Sequence, residues 1–394
     1  MPVMIGGMTS SALFRRAALA ALLALSPITG TAVATARPAP AGPGDIVESR
    51  PLTPAELIPG AARGFRIVYR TTGQNGEPAI SGGDLFLPAG AAPPGGRPVV
   101  SWAHSTSGTT RGCTPNLDGQ RADGFDETPQ LSAYLARGYA VEATDYIGLG
   151  ADGVYEYLAG RAAGHAVLDI VRAGRTSDPG LSESVVLAGH SIGGQSVLFA
   201  AASAPDYAPD LDVRGVLSYA PTSNVDGVIA AVAGPELPAA PALDGLQVRI
   251  LMILAGLDHA RPELHVLDHL SPWGRQMLAV AEAGRDCMGA IEAAVAGQPL
   301  GRLYAEPLSD PAIGAALRDY LGVPTTGYRA PVLLLQGVPD TVQPMPTTLL
   351  LQEQLRQGGA DSRLRLYPSA THFTVLPQAA DDDRAFLLGV LPNR

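Results

Sequence analysis

The sequence predicts an α/β fold, a mostly parallel sheet flanked by helices with a helical segment inserted late in the chain. Three observations carry that expectation. From Gly64 onward, short apolar runs rich in β-branched residues alternate with helical stretches. One such run, Val185 to Ala188, passes through a glycine-rich turn at Ser191 directly into an apolar helix. The alternation then stops after Pro221 and resumes at Pro331.

In chain order, residues 65–69 and 80–87 alternate with period two and read as antiparallel strands at one edge. Residues 98–103 form a buried strand, 128–137 a helix stopped by Gly138, and 139–144 the next strand. A long amphipathic helix is expected over 155–175, with Leu158, Ala162, Ala166, Leu168, Ile170 and Val171 inward. The Ser191 strand and its helix follow, then a strand over 215–220. Strands separated by helices imply parallel pairing with right-handed crossovers. Residues 222–328 read as helices over 225–232, 247–257, 264–270, 273–296 and 311–320. Sheet-type segments resume with a strand over 331–337, a helix over 346–357, a strand over 363–367 and a helix over 381–391. Residues 61–221 and 329–394 therefore read as the core, and 222–328, inserted after the sixth main strand, as a helical cap rather than a trailing domain.

Residues 1–36 have the pattern of an export signal. Arg15 and Arg16 precede the apolar run 17–25, and small residues end at Ala34-Thr35-Ala36. The alternative, a membrane anchor, is disfavoured because the run is too short to span a bilayer. Residues 37–60, rich in Pro, Gly and Ala, read as an extended leader. Losing two arginines and no acid with the signal takes the net charge from -10 to -12. That surface argues against nucleic acid and anionic membrane as partners. The basic residues are all arginine, a compositional rather than a functional trait. Cys113 and Cys287 are the two cysteines. In an exported protein such a pair reads as one disulfide, the alternative being two buried thiols.

The turn Gly189-His190-Ser191-Ile192-Gly193 matches G-x-S-x-G between a strand and a helix. A serine at the tip of so sharp a turn needs small neighbours two residues away, and the Ile192 N–H at the helix start points where an oxyanion would form. The bland alternative is a capping serine in a strand–helix turn. A serine hydroxyl needs a base, and the base an orienting acid. Of seven histidines, His190 lies in the elbow and is expected to point away. His372 follows the last strand, at the carboxyl end where sheet enzymes place their sites. Asp340, beyond the 331–337 strand, completes the order Ser191, Asp340, His372 expected of this class of hydrolase. Asp340 could instead cap the following helix, and Asp226 is the competing acid.

These motifs, with Trp102 to Gly108, Cys113-Thr114-Pro115 and Asp145-Tyr146-Ile147-Gly148-Leu149-Gly150, resemble the secretory lipase family of α/β-hydrolases from about residue 60 to the C-terminus. The resemblance implies the α/β-hydrolase fold, a Ser/Asp/His triad on Ser191, Asp340 and His372, a helical lid and acyl-ester substrates. It also implies a second oxyanion donor, the backbone N–H of His104 or Ser105. Asp145 is expected to order the Gly148–Gly150 turn. His265 and His269, four apart, could suggest a zinc site, but only Asp258-His259 offers a further ligand, and no metal is expected. The reading is thus an exported serine ester hydrolase acting on a small-molecule or lipid ester, without cofactor and without stable membrane insertion. An amide, thioester or polyester hydrolase on the same triad, and a catalytically silent binding protein, are the rivals. Acyl length and oligomeric state are not encoded in any motif.

Overall fold

The computed structural model describes residues 41–115, 125–237, 243–285 and 287–392. The expected export signal lies outside them. From Ala41 onward the chain packs as one unit. Its strands are β1 (Ile46–Pro51), β2 (Ala61–Thr72), β3 (Pro78–Pro88), β4 (Arg97–Ala103), β5 (Ala140–Ile147), β6 (Leu181–His190), β7 (Asp212–Tyr219), β8 (Val332–Gly337) and β9 (Ser362–Tyr367). Its helices are α1 (Thr128–Ala136), α2 (Gly160–Ser177), α3 (Ile192–Tyr207), α4 (Val225–Val232), α5 (Asp244–Ala260), α6 (Pro272–Ala283), α7 (Gly289–Val295), α8 (Pro311–Leu321), α9 (Met345–Gln357), α10 (Val375–Gln378) and α11 (Ala380–Val390).

One sheet runs in the order β1-β2-β3-β5-β4-β6-β7-β8-β9. The β1–β2, β2–β3 and β3–β5 pairs are antiparallel, and every pair beyond β5 is parallel. The fold is therefore the expected α/β-hydrolase one, a mostly parallel sheet flanked by helices. Successive central residues serve opposite layers. Val99, Val185, Leu187, Val216 and Leu334 join the α2–α3 side, whereas Val100, Val186, Leu217 and Leu335 join the α1–α11 side. Both faces are covered, which explains why these strands read as continuous apolar runs. Chain order reverses around β4, with β5 on one side and β6 on the other. The carboxyl ends of β4 and β6 flank that switch point, where α/β sheets open a crevice.

Helices α4 to α8 lie between β7 and β8 and bury residues such as Ile229, Leu251, Leu254, Leu278 and Leu317 in the same apolar cluster as α2 and α3. Cys113 and Cys287 are joined in a disulfide. Thr109 Oγ1 donates to Ala281 O (2.6 Å), Gln195 Nε2 to Leu321 O (2.7 Å), and Arg161 pairs with Asp319 (2.8 Å). In the chain-entropy account, a bridge closing 174 residues stabilises the fold by up to about 5 kcal/mol.

Four local expectations need correction. The long helix begins at Gly160 rather than 155, because Leu158 sits at φ 65°. The helix expected over 273–296 is two, α6 and α7, broken by left-handed Gly284 and Cys287. Residues 264–270 are short 3-10 turns on either side of left-handed His265, so His265 and His269 share no helix face. Part of the expected leader, Ile46–Pro51, is an edge strand whose mostly exposed side chains give no alternation.

One buried group stands without support. Glu142, fully buried in β5, has neither carboxyl oxygen hydrogen-bonded. Burial raises its pKa well above the ordinary value, and the charge of Arg175 only partly offsets this. The folded protein therefore holds a proton that the unfolded chain releases near pH 4.5. Above that pH, stability declines as pH rises toward the folded value. Glu142→Gln, which keeps the shape and removes the ionisation that folding suppresses, is expected to raise the melting temperature by a few degrees at neutral pH and above. The gain should be larger at about pH 8 than at about pH 5. Thermal melts at both pH values check this, and an equal change at both would show that the carboxyl does not titrate with folding.

Candidate active site

Strand β6 ends at His190 and helix α3 begins at Ile192, so Ser191 alone makes the turn. Its φ is 59°, in the left-handed region that non-glycine residues avoid. The surroundings hold it there. The Ser191 N–H donates to Tyr219 O (2.9 Å), and its carbonyl accepts from Thr222 N (3.1 Å) and Gln195 N (3.2 Å). The glycines answer to close approach. A Cβ at Gly193 would lie 1.9 Å from the Ala103 carbonyl oxygen, and one at Gly189 would lie 2.4 Å from that of Gly193. Tyr146 in β5 and Ala220 after β7 also have positive φ, at 67° and 42°. Strain thus gathers at the carboxyl end of the sheet, as it does at functional sites.

His372 and Asp340 come together as expected. His372 Nδ1 lies 2.8 Å from Asp340 Oδ2, with both side chains buried. Asp340 Oδ1 accepts from the Val342 and Gln343 N–H groups (2.8 Å each), and Gln336 Nε2 donates to Oδ2 (3.2 Å). Burial pushes the Asp340 carboxyl upward. The hydrogen bond and charge of His372, with the two backbone donors, outweigh it and hold the group below its ordinary value. A carboxylate only accepts, so Nδ1 of His372 carries the proton and Nε2 keeps its lone pair. Burial lowers the His372 pKa to about 4, outweighing the hydrogen bond that His372 donates to Asp340. His190 and Arg249, both close by, push the same way.

A second set of bonds ties the strand ends together. Gln343 Nε2 donates to Thr222 Oγ1 (3.0 Å), and Thr222 in turn bonds the Ser191 carbonyl. Glu127, buried at the start of α1, accepts from Trp102 Nε1 (2.7 Å) and from the Ser105 N–H (3.1 Å). It also lies 3.3 Å from His190 Nδ1. His190 Nε2 lies 2.9 Å from the His372 carbonyl, and the two rings are 4.6 Å apart. The elbow and the histidine loop are therefore in contact. The carbonyl of His104 accepts from Tyr146 Oη (2.8 Å). Ser105, one of two expected oxyanion donors, has its N–H engaged by Glu127.

The chain matches the model of the secretory lipase family over residues 125–380. It is 30% identical over 362 residues to a probable inactive lipase of Mycobacterium tuberculosis (strain CDC 1551 / Oshkosh), covering 86% of this chain and 76% of that protein. The chain belongs to the secretory lipase family. Lipase A of Moesziomyces aphidis, 25% identical over 357 residues, covers 84% of this chain and 72% of its own. Among solved structures, Candida antarctica lipase A in its closed state superposes with a TM-score of 0.70 at 22% identity. That match covers 88% of this chain and 83% of the other, and confirms the fold.

In this member of the secretory lipase family an apolar cleft of about 540 Å³ lies beside the start of α3. Ile80, Tyr155, Leu158, Ala162, Ile192 and Ser196 help to line it, and among the described residues of the inserted segment only His259 does so. Asp145 reaches the Gly148–Gly150 turn through Arg66: it pairs with Arg66, whose Nη2 donates to the Gly150 carbonyl (3.2 Å), and it accepts from Thr114 Oγ1 (2.6 Å). A Cβ at Gly150 would meet Asp145 Oδ2. Asp226 sits in the first turn of α4, while His372 Nδ1 is bonded to Asp340. Sequence reasoning missed Glu127, Gln336 and Gln343. Gln343 and Gln336, three and four residues from Asp340, lay close enough in sequence to be suspected, whereas Glu127 did not.

Asp340→Asn is expected to lower ester turnover by about 10³-fold or more, because the amide favours the wrong imidazole tautomer. Asp226→Asn should change it less than about threefold. Steady-state assays of the two variants check the ranking.

Proposed function

We propose that this secretory lipase is an exported serine ester hydrolase acting through an acyl-enzyme on Ser191. The observation that carries the reading is the buried Asp340–His372 pair at 2.8 Å, in contact through His190 with the strained serine elbow. Ser191 Oγ attacks the ester carbonyl while His372 Nε2 takes its proton. The same proton passes to the departing alcohol, leaving an acyl-serine. Water, deprotonated by His372, then releases the acid and restores Ser191. The Ile192 N–H and the His104 backbone N–H are our candidates for the oxyanion, since the Ser105 donor is engaged.

The acyl chain is assigned to the cleft at Ile192, and the inserted helices to the role of a lid over the mouth. Export is supported by the N-terminal pattern, the disulfide and the family's secretory character. The name of the mycobacterial relative favours a second reading, a silent hydrolase-like protein. The complete Ser191, Asp340 and His372 set in this chain argues for activity. Labelling with a fluorophosphonate decides between them, since only an activated serine reacts.

Ser191→Ala is expected to abolish labelling and to cut ester turnover below about a thousandth, with little change in melting temperature. Retained turnover above that level would remove Ser191 from the chemistry.

The low pKa of His372 has a kinetic consequence. The base is neutral above its pKa and protonated below it, so kcat/KM should hold to well below pH 6.5 and fall as pH drops toward about 4. A pH profile on a p-nitrophenyl ester checks this, and an acid limb centred at or above 6.5 would contradict the burial argument.

Ala162→Phe fills the cleft. It should suppress turnover of long-chain esters at least about tenfold while sparing acetate esters. A chain-length profile with matched thermal melts checks it, since a uniform loss tracking stability would place the acyl chain elsewhere.

A further inference from the structure

His190 is fully buried, yet both of its ring nitrogens face acceptors. Nε2 faces the carbonyl oxygen of His372 at 2.9 Å. A carbonyl cannot donate, so Nε2 must carry a proton aimed at it. Nδ1 faces Glu127 Oε1 at 3.3 Å, leaving one further proton in that contact, on the ring or on the carboxyl. Glu127 also receives the Trp102 indole N–H and the Ser105 N–H. Two buried polar side chains are thereby matched, where an apolar residue would fill the space without these bonds.

We propose that Glu127 and His190 form a second acid–imidazole pair that positions the catalytic histidine and the oxyanion loop together. His190 holds the base loop by the His372 carbonyl while standing next to Ser191 in the chain. Glu127 orients His190 from behind and holds the Ser105 peptide. The Tyr146 hydroxyl grips the other end of that short loop at the His104 carbonyl. Neither Glu127 nor His190 touches the reacting atoms, so both are positioning residues. The pair extends to His190 the arrangement in which Asp340 supports His372: a carboxylate behind an imidazole, with the far nitrogen turned to a partner. The charged and titratable groups acting on His372 are Asp340 from the loop after β8, His190 from the elbow and Arg249 from α5. Removing His190 therefore takes away a neighbour whose electrostatic effect disfavours the imidazolium of His372.

This inference rests on the reading of Ser191, Asp340 and His372 as the catalytic set. The test compares the full-length parent with His190→Phe, Glu127→Gln and Ser191→Ala. His190→Phe keeps a ring of similar size and deletes both polar contacts. It is expected to lower kcat about tenfold to a hundredfold with KM changed less than about threefold, and to move the acid limb of kcat/KM upward. Glu127→Gln should act in the same direction and serves if His190→Phe does not fold. The His372 titration is also followed by histidine-ring NMR, which needs no turnover. Its midpoint should rise in His190→Phe. An unmoved midpoint with kcat within threefold of the parent overturns the pair, as does a loss of rate that tracks the melting temperature. Ester turnover retained by Ser191→Ala instead overturns the catalytic reading itself, and the NMR midpoint then decides the pair alone.

Discussion

The close approach of the first turn of α3 to the end of β4 is the constraint on which the rest depends. No side chain fits between the Ala103 carbonyl and residue 193. The parallel register that pairs Ala103 with Gly189 sets this distance, and the large glycine demand of the elbow follows from it. Helix and strand therefore meet backbone to backbone, with the Ala103 and His104 carbonyl oxygens against residue 193. Ser191 takes its left-handed conformation as the cost of joining β6 to a helix so near the neighbouring strand.

Buried carboxyl groups around this sheet show how supply of donors decides charge. Asp340 receives His372, Gln336 and two backbone N–H groups, and stays below its ordinary pKa despite burial. Glu142, on the next strand but three, receives none and is held as the neutral acid. The difference lies in position along the strand. Asp340 sits beyond a strand end, where free backbone N–H groups converge, whereas Glu142 sits mid-sheet, where they are spent on the ladder.

The elbow, the order of Ser191, Asp340 and His372, and the disulfide were legible in the sequence because each has a local or compositional signal. G-x-S-x-G is contiguous, Asp340 follows an unmistakable apolar run, and His372 follows a strand that alternates arginine and leucine. What was not legible is set by tertiary contact. Left-handed Leu158, His265 and Cys287 break helices that periodicity alone would continue. Glu127 and His190 are 63 residues apart, and the first reads simply as the start of a helix. Strand β1 is an edge strand with mostly exposed side chains, so the two-residue period had nothing to mark. Ser105 looked available as a donor until its carboxylate partner was in view.

The Cys113–Cys287 bridge changes what kind of object the inserted segment is. Joined to the sheet only at its entrance after β7 and its exit before β8, a stretch of this length could rock as one flap. A covalent tie at Cys287 divides it into two shorter loops, one holding α4 to α6 and the other α7 and α8. Each loop is closed at both ends on the sheet side. Any movement of the insertion then belongs to one loop at a time, with the bridge as the fixed post between them. In a reducing compartment that post is absent, and packing with contacts such as those at Ala281, Asp319 and Leu321 is what holds the insertion to the core.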